Sequence, residues 1–315
     1  MLHGLEIAGL HLSNNVFLAP MAGYTNYPFR KLCLAMGAGL TFTEMVSCKG
    51  LQYGNEETKK LLYCGDQTIK AAQIFGCDPA IMRRAIESEP LNGFDLIDIN
   101  MGCPMPKIVN NGEGSALLEN FPLAEKVIAE CVKSGKRISV KFRIGVREGD
   151  RMAAEFAKLC EGAGACMITV HGRVREKIYA GEPDFEEIAG AKRAVHIPVI
   201  ANGGIFCKED AFEMLDKTGA DGVMIARAAL YRPELFAEIT GGEKISVKEW
   251  FPKQLKETKE LLGERFATVF MRKMAAFYLK GRANGAEWKR KFFEAKTTDE
   301  VLLLARECFE NGMIG

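Results

Sequence analysis

The sequence predicts an α/β protein, a closed (β/α)8 barrel followed by a small all-helical segment. Three observations carry this. Eight short β-rich runs recur with starts 23 to 43 residues apart, the sequence between them has helical periodicity, and after residue 240 only the helical pattern continues. Near-continuous apolar strands that alternate with helices form a parallel sheet covered on both faces, and eight such units fit a closed barrel. A doubly wound sheet competes, but it usually places dinucleotide-binding glycines after its first strand. Here that strand runs into APMAGYTNYPF, which has no GxGxxG.

The eight strands are expected at VFLAP 16–20, GLTFTEM 39–45, KAAQIF 70–75, DLIDIN 95–100, ISVKFR 138–143, ACMITVHG 165–172, IPVIANG 197–203 and DGVMIA 221–226. Helical spacing is expected over Pro79 to Ser88, Phe121 to Ser134, Met152 to Glu161 and Lys208 to Lys217. Gly241 and Gly242 mark a break, which divides the chain into a barrel domain over 1–240 and a helical domain over 241–315. In the latter, Phe266, Phe270, Met274, Phe277 and Tyr278 share a helix face, as do Leu255, Leu261 and Leu262 roughly. Thr297 with Glu300 predicts a capping box ahead of VLLLARECF.

A chain of 315 residues that is 48% hydrophobic and 26% charged can bury a sizeable core, which excludes disorder and fibrous repeats. No run approaches the roughly 20 apolar residues that span a bilayer, and the first fifteen residues lack a basic stretch followed by an apolar core. A cytoplasmic protein without a membrane partner or an obligate protein partner is expected. Ten cysteines with no CxxC pair suit a reducing compartment, and Cys33, Cys131, Cys160, Cys166 and Cys308 fall in helical or strand patterns as small buried hydrophobes. The four histidines form no cluster with cysteine, so no metal site is expected.

Lys and Arg number 42 against 41 Asp and Glu, so bulk charge points to no polyanion. Its distribution differs. Residues 265 to 291 hold eight basic residues (Arg265, Arg272, Lys273, Lys280, Arg282, Lys289, Arg290, Lys291) against Glu287 alone, interleaved with Trp288 and followed by Phe292 and Phe293. This pattern suits either a nucleic-acid surface or a solvated helix face.

In a (β/α)8 barrel the chemistry lies at the C-terminal strand ends. Those ends carry Pro20, Met21, Ala22 and Gly23; Glu44; Gln73; Asn100 to Pro104; Lys141 and Arg143; His171 and Arg173; Asn202, Gly203 and Gly204; and Ala226 and Arg227. In ANGGI and MIARA, small residues let backbone N–H groups approach an anion, with the Arg227 guanidinium available for a fork. That predicts a phosphorylated ligand, either a flavin mononucleotide or a sugar phosphate. Alternation gives Lys141 and Arg143 the same side of their strand. Lys141 could be a Schiff-base lysine, a donor to the edge of a flavin, or a salt-bridge partner of Glu44. His171 suits either a core imidazole or a ligand donor. Cys103, between Gly102 and Pro104, presents a thiol over the barrel mouth with no histidine partner nearby in sequence, which fits a general acid better than a nucleophile.

APMAGYTNYPFR, TEMV, QIFG, DINMGCPMPKI, GSALL, VKFRIG, TVHGR, IPVIANGGI, ADGVMIARAA and RKMAAFYLKG resemble, in order and over nearly the whole chain, successive motifs of the tRNA-dihydrouridine synthase family, with most likeness to its bacterial B-like subgroup. The resemblance implies bound FMN, NADPH or NADH as reductant, and reduction of the C5=C6 bond of uridines in tRNA. Carried over position by position, it puts Pro20, Met21 and Ala22 against the isoalloxazine, with Gln73 and Lys141 at its polar edge. His171, Asn202, Gly203, Gly204, Ala226 and Arg227 would hold the ribityl phosphate end. Asn100, Arg143 and Tyr179 would read the uracil, and Cys103 would protonate C5. Arg173, Arg175, Arg272, Lys280 and Arg282 would grip tRNA, whose target base must be extruded to reach a barrel mouth. Three positions depart from the family pattern: Gly204 where Asp is frequent, Ala226 where Gly is usual, and no histidine after RK in RKMAAFY. Another FMN barrel oxidoreductase acting on a pyrimidine-like substrate is the alternative. A sugar-phosphate aldolase would leave NMGCP and the basic segment unexplained.

Overall fold

The computed structural model describes residues 1–310. Its strands are β1 (Leu5–Ile7), β2 (Leu10–Leu12), β3 (Val16–Leu18), β4 (Leu40–Thr41), β5 (Val46–Ser47), β6 (Ala71–Phe75), β7 (Leu96–Met101), β8 (Arg137–Arg143), β9 (Met167–His171), β10 (Val199–Asn202) and β11 (Gly222–Ile225). The helices are α1 (Tyr27–Ala35), α2 (Cys48–Gln52), α3 (Glu56–Lys60), α4 (Pro79–Ile86), α5 (Pro106–Val109), α6 (Phe121–Val132), α7 (Ala153–Gly162), α8 (Phe185–Ala194), α9 (Lys208–Thr218), α10 (Arg227–Tyr231), α11 (Leu235–Thr240), α12 (Val247–Leu262), α13 (Glu264–Tyr278), α14 (Gly285–Glu294) and α15 (Thr298–Glu310).

Strands β3 to β11 form one parallel sheet in the order β4-β3-β11-β10-β9-β8-β7-β6-β5. A bridge from Phe42 to Ala71 joins the two ends, so the sheet closes. The barrel therefore has the eight expected strands, the second of them split into β4 and β5. The interruption at Thr43 to Met45 serves the interior: the Thr43 hydroxyl accepts from the Gln73 N–H at 3.2 Å, and Glu44 accepts from the Gly23 N–H.

Helix starts follow local chemistry. Asp78 caps α4 ahead of Pro79, Asn120 caps α6, Asp184 caps α8, and Gly219 ends α9 in the left-handed region at φ 64°. The barrel core is lined by Phe17, Ala19, Leu40, Phe42, Ala71, Leu96, Met167, Ile200 and Met224, with Leu5, Ile7 and Leu12 from β1 and β2 in the same cluster. The β1–β2 hairpin was not anticipated. It turns at Ala8 and Gly9, both at positive φ, a primed turn whose sequence lacks the usual Asn-Gly signal.

Two compact units divide the chain, one of Met1–Tyr27 with Ala38–Ala226, the other of Pro28–Gly37 with Arg227 onward. The boundary expected at residue 240 thus falls inside the second unit, which also takes most of α1. The reason is local: Lys31 in α1 pairs with Glu257 in α12 at 2.9 Å, and a Cβ at Gly37 would strike the Thr240 side chain of α11. Residues 311–315 of the expected helical domain lie outside the described residues. In this unit Phe270, Met274 and Tyr278 of α13 are buried, and Trp250 meets Tyr278 edge-on at 4.4 Å. Phe266 departs from the expected apolar face. It is 44% exposed and stacks on Phe270 from the first turn of α13. The capping at α15 is partial: Thr297 Oγ1 accepts from the Glu300 N–H, while the Glu300 carboxylate accepts from the Lys296 N–H rather than that of Thr297. Among the described residues no helix is long and apolar enough to cross a membrane, and no group of three or more His, Cys, Asp or Glu side chains is placed to hold a metal ion.

Candidate active site at the barrel mouth

Parallel register brings the polar strand ends side by side. Gln73 lies opposite Asp98, Asp98 opposite Ser139, Asn100 opposite Lys141, and His171 opposite both Arg143 and Asn202. With period-two alternation these side chains all turn inward.

The first strand end is a locked turn. Met21 N–H donates to Thr25 Oγ1 at 3.0 Å and that hydroxyl returns a bond to the Met21 carbonyl, so Pro20, Met21 and Ala22 sit partly exposed on a rigid loop. Cys103 is half-buried. Its N–H donates to Asn100 Oδ1 at 2.9 Å, and its carbonyl accepts from the Ser115 N–H and hydroxyl. Gly114 makes this close approach possible, since at φ 61° a Cβ there would lie 3.0 Å from the Cys103 carbonyl. Burial raises the Cys103 pKa, opposed by the Met105 N–H and Arg143, so the thiol keeps its proton at neutral pH.

Asn100 is almost fully engaged. Its oxygen accepts from the Gly102 and Cys103 N–H groups and its nitrogen donates to Gln73 Oε1 at 2.8 Å, with a long contact to Met45 Sδ at 3.9 Å. The sulfur contact is the weakest and is the one a ligand would replace. Lys141 donates to Asn202 Oδ1 at 2.9 Å, and Asn202 Nδ2 donates to the Met224 carbonyl at 2.7 Å. Burial pushes the Lys141 ammonium down to about 8, with Arg143 adding to the shift and Asp98 opposing it. Glu44 accepts from the Gly23 N–H.

Arg143 is buried and spans two loops: Nε donates to the Gly102 carbonyl at 2.8 Å, and Nη1 donates to the carbonyls of Val174 and Ile178 at 3.2 and 2.8 Å. Its guanidinium lies 5.9 Å from the centre of the half-exposed Tyr179 ring.

Two of the cations expected on the tRNA surface have protein partners, and one of them is buried. Arg173 is 4% exposed, with Nε and Nη2 on the Gly181 carbonyl and Nη1 3.4 Å from His171 Nε2. It faces the Gly203–Gly204 turn, because register sets β9 beside β10. Arg175 is paired with Glu119 at 2.6 Å. In the second unit, Arg282 is exposed on the turn before α14, Lys280 lies over the Tyr231 ring at 4.1 Å, and Arg272 lies over Phe293 with its Nε buried and without a hydrogen-bond partner among the described residues.

Gly203 and Gly204 have φ of 121° and 71°, and their N–H groups meet no protein acceptor among the described residues. A Cβ at Gly203 would sit 3.0 Å from His171 Cδ2 and 3.2 Å from Arg173 Nη1. Glycine therefore keeps open a cradle of two unspent N–H donors beside an imidazole and a guanidinium, which fits a phosphate monoester. Ala226 is not at positive φ, so its methyl group in place of the usual glycine is accommodated. Arg227 follows it as the first residue of α10.

Sequence reasoning missed Asp98 and Ser139, although the same alternation that paired Lys141 with Arg143 puts Asp98 on the face of Asn100. It also missed the support that Gly114 and Ser115 give to Cys103.

A parallel barrel with polar strand ends, a glycine turn open to an anion and a half-buried thiol at its C-terminal mouth defines a barrel enzyme. The dihydrouridine synthase (Dus) family profile matches residues 17–313. The chain is 35% identical to tRNA-dihydrouridine synthase B of Pectobacterium carotovorum over 98% of this chain and 99% of that one. To the protein of the same name from Pseudomonas aeruginosa it is 35% identical, over 97% and 96%. Among solved structures, a variant of NCR from Zymomonas mobilis superposes with a TM-score of 0.55 at 16% identity, covering 80% of this chain and 96% of that one. A morphinone reductase mutant in complex with tetrahydroNAD gives 0.57 at 14% identity, over 76% and 90%. These two share the barrel fold. The chain belongs to the dihydrouridine synthase family.

Proposed function

We propose that this enzyme reduces the C5=C6 bond of uridine in tRNA to 5,6-dihydrouridine, using FMN bound at the barrel mouth and NADPH or NADH as reductant. The observation that supports the reading is the half-buried Cys103 thiol, held by Asn100 and Ser115 at a C-terminal strand end of the barrel that also carries the Gly203–Gly204 cradle. His171, Asn202, Gly203, Gly204, Ala226 and Arg227 would hold the phosphate end of FMN, joined by Arg173. Gln73 and Lys141 would donate to its polar edge, and Pro20, Met21 and Ala22 would support the ring face. When bound, FMN is the source of the hydride that the uracil ring accepts. Cys103 Sγ–H supplies the matching proton at C5, and the raised pKa suits an acid that must stay loaded.

Asn100, Arg143 and Tyr179 orient the uracil, Arg143 by fixing the loop that carries Tyr179. Exposed cations of the second unit, Lys280 and Arg282 among them, neutralise tRNA phosphates while the base is extruded. A tRNA-modifying role places the protein in the cytoplasm. The test is an assay of the purified chain with unmodified tRNA and NADPH, reading dihydrouridine by nucleoside mass spectrometry and flavin by its blue absorption bands. Flavin without any two-hydrogen mass gain in tRNA would turn the reading toward another flavin oxidoreductase, and absence of flavin would overturn it.

A further inference from the structure

Beneath the rim, four polar side chains from three neighbouring strands form one unbroken buried chain. Ser139 Oγ donates to Asp98 Oδ1 at 2.7 Å, Gln73 Nε2 donates to Asp98 Oδ2 at 2.7 Å, and Asn100 Nδ2 donates to Gln73 Oε1 at 2.8 Å. Asn100 Oδ1 then accepts from Gly102 N–H at 3.1 Å and Cys103 N–H at 2.9 Å. Asp98, Gln73 and Ser139 are at most 1% exposed and Asn100 is 8% exposed.

The direction of every bond is determined from both ends. Backbone N–H groups can only donate, so the Asn100 oxygen must face Cys103 and its nitrogen must face Gln73. An ionised carboxylate can only accept, so the Gln73 nitrogen must face Asp98 and its oxygen must face Asn100. The two deductions meet at the Asn100–Gln73 bond and agree.

We propose that Asp98 is a positioning residue for Cys103, fixing through Gln73 and Asn100 the polarity of a hydrogen-bond chain that ends on the Cys103 backbone. The same chain sets which Gln73 atom is left for a ligand: one Nε2 hydrogen and one Oε1 lone pair, both at known orientation. Asp98 itself touches neither substrate nor cofactor. A buried carboxylate held by neutral donors is costly, and an apolar residue would serve packing alone better. The cost is consistent with a role in orientation. The proposal rests on the reading of Cys103 as the acid, but its test does not.

The test follows the thiol itself. The full chain as purified is alkylated with iodoacetamide under native conditions, and modification of Cys103 is timed by peptide mass spectrometry, with half-buried Cys207 as internal reference. Asp98→Leu removes the acceptor, frees the Gln73 amide to turn and loosens Asn100 on the Cys103 N–H. Cys103 alkylation should then rise about fivefold to tenfold, the worth of roughly one net hydrogen bond, with Cys207 unchanged. Asp98→Asn can keep its oxygen toward Gln73 while Ser139 turns to accept, so its Cys103 rate should stay within about twofold of wild type. Gln73→Leu cuts the chain one link further on and, with it and wild type both stripped of flavin because Gln73 also faces the ligand, gives the same acceleration should Asp98→Leu not fold. A wild-type or slower Cys103 rate in the leucine variant, or equal acceleration by asparagine and leucine, overturns the proposal. Because alkylation needs no substrate, a failed uridine assay would leave this result standing.

Discussion

Cys103 keeps its proton because burial disfavours the thiolate more than the Met105 N–H and Arg143 favour it. Cys103→Ala should therefore retain FMN and its reduction by NADPH but lose dihydrouridine formation in a single-turnover assay with tRNA. Loss of flavin from the folded variant would instead make the cysteine a binding residue. Asp98 carries the opposite problem, a carboxylate that burial pushes up to about 6 despite donors from Gln73 and Ser139 and the nearby Lys141 charge. Its ordinary value is about 3.9, so between roughly pH 4 and 6 the folded chain binds more protons than the unfolded one. The free energy of unfolding accordingly falls as pH rises through that window, by about 3 kcal/mol from this group. Asp98→Asn does not titrate and should gain about 2 kcal/mol of that relative to wild type between pH 4 and pH 7. Paired urea titrations at the two pH values measure it, and parallel curves would contradict the assignment.

Among the loops, the segment after β9 stores strain. Ile178 has φ 49°, a region that a β-branched residue rarely occupies, and its side chain is 47% exposed. What holds it there is the Arg143 bond to its carbonyl and the turn from Arg175 O to Ile178 N–H at 3.1 Å. Relief of roughly 1–3 kcal/mol of strain outweighs the roughly 0.5–1 kcal/mol that glycine loses in chain entropy. Ile178→Gly should therefore stabilise the fold by about 1 kcal/mol, measured by urea unfolding. It should also raise KM for tRNA more than it changes flavin reduction, since the softened loop carries Tyr179. An unchanged midpoint would mean that Ile178 is not strained in solution.

Taken as a whole, the chain is nearly neutral, and its cations are unequal once folded. Lys291 is paired with Glu287 at 2.9 Å and lies over Trp288, Lys273 lies over Phe270, and Arg272 over Phe293. Arg265, Lys280, Arg282 and Arg290 are exposed. Arg282→Ala should weaken tRNA binding and lower the log–log salt slope by about 0.7 to 1, with stopped-flow flavin reduction unchanged. Arg272→Ala should also cost stability, because its guanidinium covers an aromatic ring. Wild-type affinity and slope in the Arg282 variant would assign the exposed part of the basic run to solvent.

The alternation of apolar strands with helices was legible in the sequence because burial on both faces writes an unbroken apolar run into each strand. The strand ends were legible for the same reason, since polar residues and glycines interrupt such runs only where the core stops. NMGCP, ANGGI and MIARA therefore stand out in the sequence. What separates Arg173 from Arg282 is not written in either residue's neighbourhood: both are arginines in polar loops, and only the pairing of β9 with β10 turns the first inward, onto Gly203. The split of the second strand, the grouping of α1 with the C-terminal helices and the Asp98–Gln73–Asn100–Cys103 chain likewise depend on residues distant in sequence. Local pattern encodes which face of an element is buried, whereas the partners that meet on that face are set by register and closure, and these exist only in the folded chain.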